Sequence, residues 1–123
     1  FVILVIGNSR YGSALDDIFG KVRVLGKPVR ITPIGDVSEI RDCHILIVAQ
    51  LTGTLAEQVF RQTRGKPILT ISDTNGYGGK GSILNLVVMD DYVRFEVNQG
   101  ALQASGLKIS SLVLSSAVVV HDD

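Results

Sequence analysis

The sequence predicts an α/β fold: a mostly parallel sheet flanked by helices in three layers, with an antiparallel β-hairpin added late in the chain. Three observations predict it. Phe1-Val-Ile-Leu-Val-Ile6 and His44-Ile-Leu-Ile-Val-Ala49 are apolar runs rich in β-branched residues, the pattern of strands covered on both faces. Helix signals fall between such runs, in the β-α-β rhythm that builds parallel sheets. Further on, two apolar runs are joined only by Asp90-Asp91, and two residues close a hairpin but never a parallel crossover.

The elements follow in order. Phe1–Ile6 is the first strand, ended by Gly7. A helix comes next, with Leu15, Ile18 and Phe19 on one face and Gly20 at its end. Pro28 to Ile34 reads as one strand entered through a turn at Gly26, and Asp36 to Asp42 as a polar connector with room for one helical turn. His44–Ala49 reads as a fully buried strand. The strongest helix signal follows: Thr54 and Glu57 in capping-box spacing, an apolar stripe of Leu55, Ala56, Val59 and Phe60, a stop at Gly65, and Pro67 beyond it. Ile68 to Ser72 is the next strand. Ile83 to Met89 and Tyr92 to Val97 form the hairpin. Asn98 is placed to cap a helix that ends at Gly106. In the apolar tail from Lys108 to Val120, Ser110 can cap a helix, while Val118-Val-Val120 can extend as a strand.

Composition excludes several function classes. The chain has 123 residues, the size of a single domain spanning residues 1–123. Twelve basic residues balance twelve acidic ones, and no run of like charge exceeds two residues, so neither a nucleic-acid stripe nor a polybasic membrane anchor is present. No apolar run approaches the ~20 residues of a membrane helix, so direct membrane insertion is not expected. Phe1–Ile6 is too short for the apolar core of a signal peptide. Because the chain opens without Met inside a strand, a segment upstream of Phe1 is expected in the whole protein. The lone Cys43 closes no internal disulfide; it is either a buried small hydrophobe or the partner of a cysteine elsewhere.

Two loops raise the question of phosphate. In Ser72-Asp-Thr-Asn-Gly-Tyr-Gly-Gly-Lys-Gly81, Gly76, Gly78 and Gly81 match the dinucleotide fingerprint. A dinucleotide loop must open a helix, yet the segment from Ser82 reads as strand, and no acidic residue stands about 20 positions on to hold a ribose. Lys80 is followed by Gly81 rather than by Ser or Thr, so the P-loop reading fails as well. A mobile turn is the expected role, its four glycines marking flexibility. The earlier loop, Gly7-Asn-Ser-Arg-Tyr-Gly-Ser13, lies where an anion meets a helix N-terminus, but lacks the P-loop lysine. It is either a tight turn with Ser9 as N-cap or an anion and small-ligand site made by Asn8, Ser9, Arg10 and Ser13.

No catalytic or metal-binding constellation is assigned. His44 starts a strand, where a structural imidazole is expected, and His121 lies near the end. Cys43 and His44 are neighbours on a strand and point to opposite faces, so they do not share a metal. Asp16-Asp17 suits a helix face and Asp90-Asp91 a turn. In the tail, Ile109, Leu112, Val113, Leu114, Val118, Val119 and Val120 leave little polar face. They are either core or an apolar patch of the kind that meets protein partners, with core packing the expected fate. The candidate partner or ligand surface is Leu112, Val113, Ser116 and His121.

The ordered motifs resemble a known family as a set. Gly65-Lys-Pro-Ile-Leu-Thr-Ile-Ser-Asp73, the glycine pair before a hydrophobic strand, Val93-Arg-Phe-Glu-Val-Asn98 and Ser105-Gly-Leu-Lys-Ile-Ser-Ser111 occur in sequence, preceded by Gly12 to Leu15, Gly26-Lys-Pro28 and Cys43-His-Ile-Leu. Over nearly its whole length the chain resembles the YfiR-like family of bacterial periplasmic proteins. The resemblance implies a signal peptide and an additional N-terminal helix before Phe1. It implies a secreted, non-enzymatic α/β regulator that needs no cofactor. Such proteins bind the periplasmic sensor part of an inner-membrane diguanylate cyclase and hold it inactive, and release raises cyclic-di-GMP and favours biofilm growth. The resemblance also implies dimerisation and redox response through cysteines, although one cysteine supports no internal disulfide. Leu112 stands where the family ending usually carries Lys, with Ser115 and Ser116 after it, so this tail is more apolar and less basic. Asn98, Gly106 and Ser110 match the motif and also make sense as caps and stops. Two rival classes are a periplasmic small-ligand or anion receptor and a nucleotide-dependent enzyme, the latter requiring a helix directly after Gly81.

Overall fold

The computed structural model describes residues 1–7, 23–24, 26–49, 51, 53–88, 90–91, 93–109, 115 and 117–122. The strands are β1 (Val2–Ile6), β2 (Arg23–Val24), β3 (Lys27–Pro28), β4 (Arg30–Ile34), β5 (Ile45–Val48), β6 (Leu69–Ser72), β7 (Leu84–Val88), β8 (Val93–Asn98) and β9 (Ala117–Val120). The helices are α1 (Gly53–Thr63), α2 (Tyr77–Lys80) and α3 (Gln99–Ser105), with a 3-10 turn at Val37–Glu39. Seven strands form one sheet in the order β4-β1-β5-β6-β7-β8-β9, and β2 and β3 form a separate small hairpin. Every neighbouring pair in the large sheet is parallel except β7 and β8. The mostly parallel α/β sheet and its late hairpin are those the sequence predicts.

The register divides the sheet cleanly by face. Ile34, Ile6, Val48, Ser72, Asn85, Glu96 and Val118 align across all seven strands, so their side chains share one face. Leu4 and Leu46 lie one step back on the same face. Against this face packs α1, whose Ala56, Val59, Phe60 and Thr63 recur at i, i+3, i+4 and i+7 and are all buried. Leu4, Ile6, Leu46, Val48, Ala56, Val59 and Phe60 form one core cluster with Ile34, Ile40, Ile68 and Tyr77. Ile3 and Val5, which point to the other face, are also buried, so β1 is covered on both sides. Such continuous burial is why Phe1–Ile6 carries no alternation of polar residues.

Four expectations are corrected. Pro28–Ile34 is not one strand: Lys27–Pro28 pairs antiparallel with Arg23–Val24 around Gly26, whose φ is +77°, and the chain re-enters the large sheet at Arg30. The His44–Ala49 strand is not buried throughout. Leu46 and Val48 are fully buried, Ile45 and Ile47 half-buried, and His44 is exposed at the strand's start. Thr54 is not an N-cap, because α1 already begins at Gly53 and the cap position falls on residue 52, outside the described residues. The backbone of Leu51, just before the helix, is fastened by the Tyr77 hydroxyl, which accepts from its N–H at 3.0 Å and donates to its C=O at 3.1 Å. Glu57 is likewise not engaged in a capping box; its carboxylate lies 3.3 Å from Lys80 Nζ. The fourth correction concerns the glycine-rich loop.

Other local signals hold. Gly65 adopts φ +82° at the end of α1, the left-handed stop that favours glycine. Asn98 caps α3 by accepting from Ala101 N–H at 3.0 Å, and Gly106 ends it at φ +73°. Val118 to Val120 are strand residues of β9. Ser110 and the predicted helix with Leu15, Ile18 and Phe19 lie outside the described residues.

Candidate functional site

The sheet has a topological switch at β1, which lies between β4 and β5. Open α/β sheets bind ligands in the crevice outside the strand ends at such a point. Here the described rim of that crevice is filled by the protein itself. Gly7 leaves β1 at φ +94°, and a Cβ on it would lie 2.8 Å from Leu51 Cδ2 and 3.3 Å from Ala49 Cβ. Only glycine allows the two loops to close this tightly. Leu51 is in turn held by Tyr77 at both its N–H and its C=O. Asn8, Ser9, Arg10 and Ser13, the candidate anion loop, lie outside the described residues.

The run Ser72–Gly81 is an ordered, packed turn, not a mobile connector. Its centre is α2, a single helical turn in which Tyr77 and Gly78 are buried. Tyr77 sets its ring edge-on against Phe60, with centroids 5.6 Å apart. Gly81 presses on Phe60, where an added Cβ would stand 3.1 Å from Phe60 Cβ. Gly78 lies over the sheet, where a Cβ would meet Glu96 Oε1 at 3.0 Å and Val120 Cγ2 at 3.1 Å. These glycines therefore serve close backbone approach. As the sequence predicts, the chain after Gly81 enters a strand, β7 at Leu84, and not the helix that a nucleotide-dependent enzyme requires there.

Polar residues line this half of the sheet, where they bond to one another and to the turn beside them. Asn85 Nδ2 donates to Thr74 O at 2.9 Å and to Glu96 Oε1 at 3.2 Å, while Asn85 Oδ1 accepts from Ser72 Oγ at 2.7 Å. Ser82 Oγ lies 2.7 Å from Ser72 Oγ and donates to Leu84 O. Thr70 Oγ1 accepts from Ile83 N–H at 2.8 Å. Glu96 is buried and also accepts from Arg94 Nη2 at 2.6 Å. Ser72, Asn85 and Glu96 thus form a buried polar chain across three strands, and Asn85 ties it to the glycine turn at Thr74 O. Asn85, a lone polar residue in the apolar run of β7, was the available signal, and sequence reasoning missed it.

The chain end is tied into the same network. Asn98, fully buried, donates through Nδ2 to Gly78 O at 2.9 Å and to Asp122 Oδ1 at 2.9 Å. Arg64, just past α1, grips Asp122 with both guanidinium nitrogens, Nη1 to Oδ1 at 3.0 Å and Nη2 to Oδ2 at 2.9 Å. The hydrogen bond from Arg64, and then that from Asn98, hold the Asp122 carboxyl below its ordinary range. This clasp gives Asn98 a second role beyond capping that sequence reasoning did not find.

Beyond the clasp, apolar groups reach solvent. Val118 is 44 % exposed, Val119 49 % and Phe95 37 %, so the expected core packing of Val118 and Val119 is corrected. Phe95 belongs to β8, and Val118 and Val119 to its neighbour β9, the last strand of the sheet among the described residues. His121 follows them and is exposed; Leu112, Val113 and Ser116 lie outside the described residues.

His44 and Cys43 are engaged by their surroundings. His44 Nδ1 accepts from Val2 N–H at 2.9 Å, and its ring stacks on Phe1 at 4.4 Å, so the imidazole is a satisfied strand-end residue. Cys43 is half-buried against the core, and burial, reinforced by Asp42 and opposed by Arg41, pushes its thiol up. Among the described residues no three His, Cys, Asp or Glu side chains come together as a metal site, and no helix is long and apolar enough to cross a membrane.

The fold and its contacts thus define an α/β-sheet domain that spends its described polar side chains on holding its own glycine turn and chain end, and that shows its exposed apolar groups at one edge. The YfiR/HmsC-like family model matches residues 1–118, and the chain belongs to this family.

Proposed function

We propose that this protein is a periplasmic regulator that binds the sensor part of an inner-membrane diguanylate cyclase and holds it inactive, thereby controlling cyclic-di-GMP and biofilm formation. Membership of the YfiR/HmsC-like family over residues 1–118 carries this reading. It acts by contact rather than catalysis, and without a cofactor.

The mechanism is a population shift: the regulator binds the silent sensor state better than the active one. Moving a sensor from 1:99 to 99:1 in favour of silence requires about 10⁴-fold tighter binding to that state. Rim charges do not supply that difference, whereas desolvated apolar contacts do.

The experiment is co-expression with a periplasm-facing diguanylate cyclase. Co-purification together with a fall in cyclic-di-GMP is expected. Absence of both sinks the reading for that cyclase.

A further inference from the structure

Of the described asparagines, only Asn75 is exposed, and only Asn75 is followed by glycine. Asn85 and Asn98 are fully buried, and the carboxamide of each is held by hydrogen bonds. Asn75 and Gly76 are the two middle residues of a turn closed by Tyr77 N–H, which donates to Thr74 O at 3.1 Å. Gly76 stands in that turn at φ +89° and ψ −12°, with open space where a Cβ would be. Among the described residues neither the Asn75 carboxamide nor the Gly76 N–H has a hydrogen-bond partner.

We propose that Asn75-Gly76 is a self-modification site, at which the folded chain deamidates through a succinimide and converts residue 75 mainly into isoaspartate. This goes beyond the proposed regulation of a cyclase and does not depend on it. In the first step the Gly76 nitrogen gives up its proton to solvent and attacks Asn75 Cγ. A bond from that nitrogen to Cγ forms, the bond from Cγ to Nδ2 breaks, and Nδ2 leaves as ammonia. In the second step one water opens the five-membered ring. Cleavage at the Cγ carbonyl leaves ordinary aspartate, and cleavage at the main-chain carbonyl leaves isoaspartate. No oxidant, reductant or enzyme is consumed. The attack needs a nitrogen that no side chain shields, and glycine is the residue that provides it. Since the Gly76 N–H has no partner to lose, closing the ring breaks no hydrogen bond at that nitrogen.

The position of the site gives the change its reach. Isoaspartate routes the main chain through Cβ and Cγ, so the turn gains a carbon and a free carboxylate. The hydrogen bond from Tyr77 to Thr74 spans the lengthened residue. Thr74 O also accepts from Asn85 Nδ2 at 2.9 Å, the link to the buried chain of Ser72, Asn85 and Glu96. The Tyr77 hydroxyl holds Leu51 at the rim of the crevice. Lengthening the turn therefore pulls on both ties and loosens the Tyr77 fastening of Leu51. Ordinary aspartate keeps the backbone and adds only an exposed charge.

Ageing the folded chain at neutral pH and physiological temperature tests this. Peptide mapping by mass spectrometry reads the replacement of NH2 by OH, and an isoaspartyl methyltransferase labels the isoaspartate. Conversion is expected at Asn75, with isoaspartate the larger product, and not at Asn85 or Asn98. Asn75→Gln should abolish the label while thermal melting shows an unchanged fold. Gly76→Ala should slow conversion by about an order of magnitude, because its methyl shields the nitrogen. A folded chain that keeps Asn75 intact while a short peptide of the same sequence converts overturns the proposal. So does conversion confined to Asn8, or a label that persists in Asn75→Gln. Hydrogen exchange on the separated isoaspartate fraction should show lost protection at the Leu51 and Tyr77 amides. Asn75→Asp, with its ordinary backbone, should keep that protection. An isoaspartate fraction as protected as the unmodified chain overturns the loosening of the turn.

Discussion

The Asn98 amide donates to the Gly78 carbonyl at 2.9 Å and thereby fixes the glycine turn to the end of β8. The same side chain caps α3 and holds Asp122, so one residue joins three segments distant in sequence. Asn98→Ala removes a cap, at about 1 kcal/mol, and strands buried polar partners, at about 1–3 kcal/mol. Urea unfolding is expected to show a loss of about 2–4 kcal/mol with an unchanged m-value. Asn98→Asp keeps the capping acceptor, loses both donors and sets a carboxylate beside Asp122, so it should also destabilise. Wild-type stability in both variants would remove the tie from the account.

Gly78 and Gly76 separate close packing from backbone freedom. Gly76 has φ +89° and open space where a Cβ would stand, so Gly76→Ala meets only the left-handed backbone cost of about 1–2 kcal/mol. Gly78→Val pushes branched carbons into Glu96 and Val120, and overpacking of this kind costs about 1–3 kcal/mol or more. Hydrogen exchange tells the two apart. Amides of β9 should lose protection in Gly78→Val and keep it in Gly76→Ala.

Burial decides the next pair. Leu46 is fully buried within the core cluster, so Leu46→Ala is expected to cost about 2–5 kcal/mol. Val118 is 44 % exposed, and Val118→Ala should change monomer stability by no more than about 0.5 kcal/mol. Thermal melts at a concentration where the chain is monomeric test both.

Acid should release the clasp at the chain end. The hydrogen bonds from Arg64 and Asn98 place the folded Asp122 carboxyl below its ordinary value of 3.8. A carboxyl depressed by folding adds stability that is fully present above its unfolded pKa and is lost as pH falls through the lower folded one. Asp122 is 47 % exposed, so the contribution stays under about 1 kcal/mol. Asp122→Asn should therefore be less stable than wild type at pH 7, with the gap closing below the folded pKa. A gap of the same size at pH 7 and pH 2 would contradict this assignment.

What the sequence revealed was local. The apolar run of β1, the Gly65 stop, the Asn98 cap and the antiparallel pairing of the two strands on either side of Asp90-Asp91 each rest on neighbouring residues, and each appears in the structure. The helix α1 begins at Gly53, ahead of the Thr54 cap expected from the sequence, and Leu51 before it is held by Tyr77, far along the chain. The candidate loop at Asn8 to Ser13 and most of the candidate surface, Leu112, Val113 and Ser116, lie outside the described residues. Of the apolar tail, Val118 and Val119 proved to be an exposed edge, since hydrophobicity alone does not say which strand ends a sheet.

By itself, then, the sequence determined the kinds of element, their order and the family resemblance, since periodicity, caps and breakers act within a few residues. Only the tertiary structure decided the use of the glycines between Ser72 and Gly81. Gly78 is small because Glu96 and Val120 stand within about 3 Å of where its side chain would be, and those neighbours come from other strands. The polar residues Ser72, Asn85 and Glu96 come from three strands and meet only once the sheet is assembled, where Asn85 also reaches the turn at Thr74 O. Which edge stays open was settled in the same way, by the order in which seven strands lie side by side.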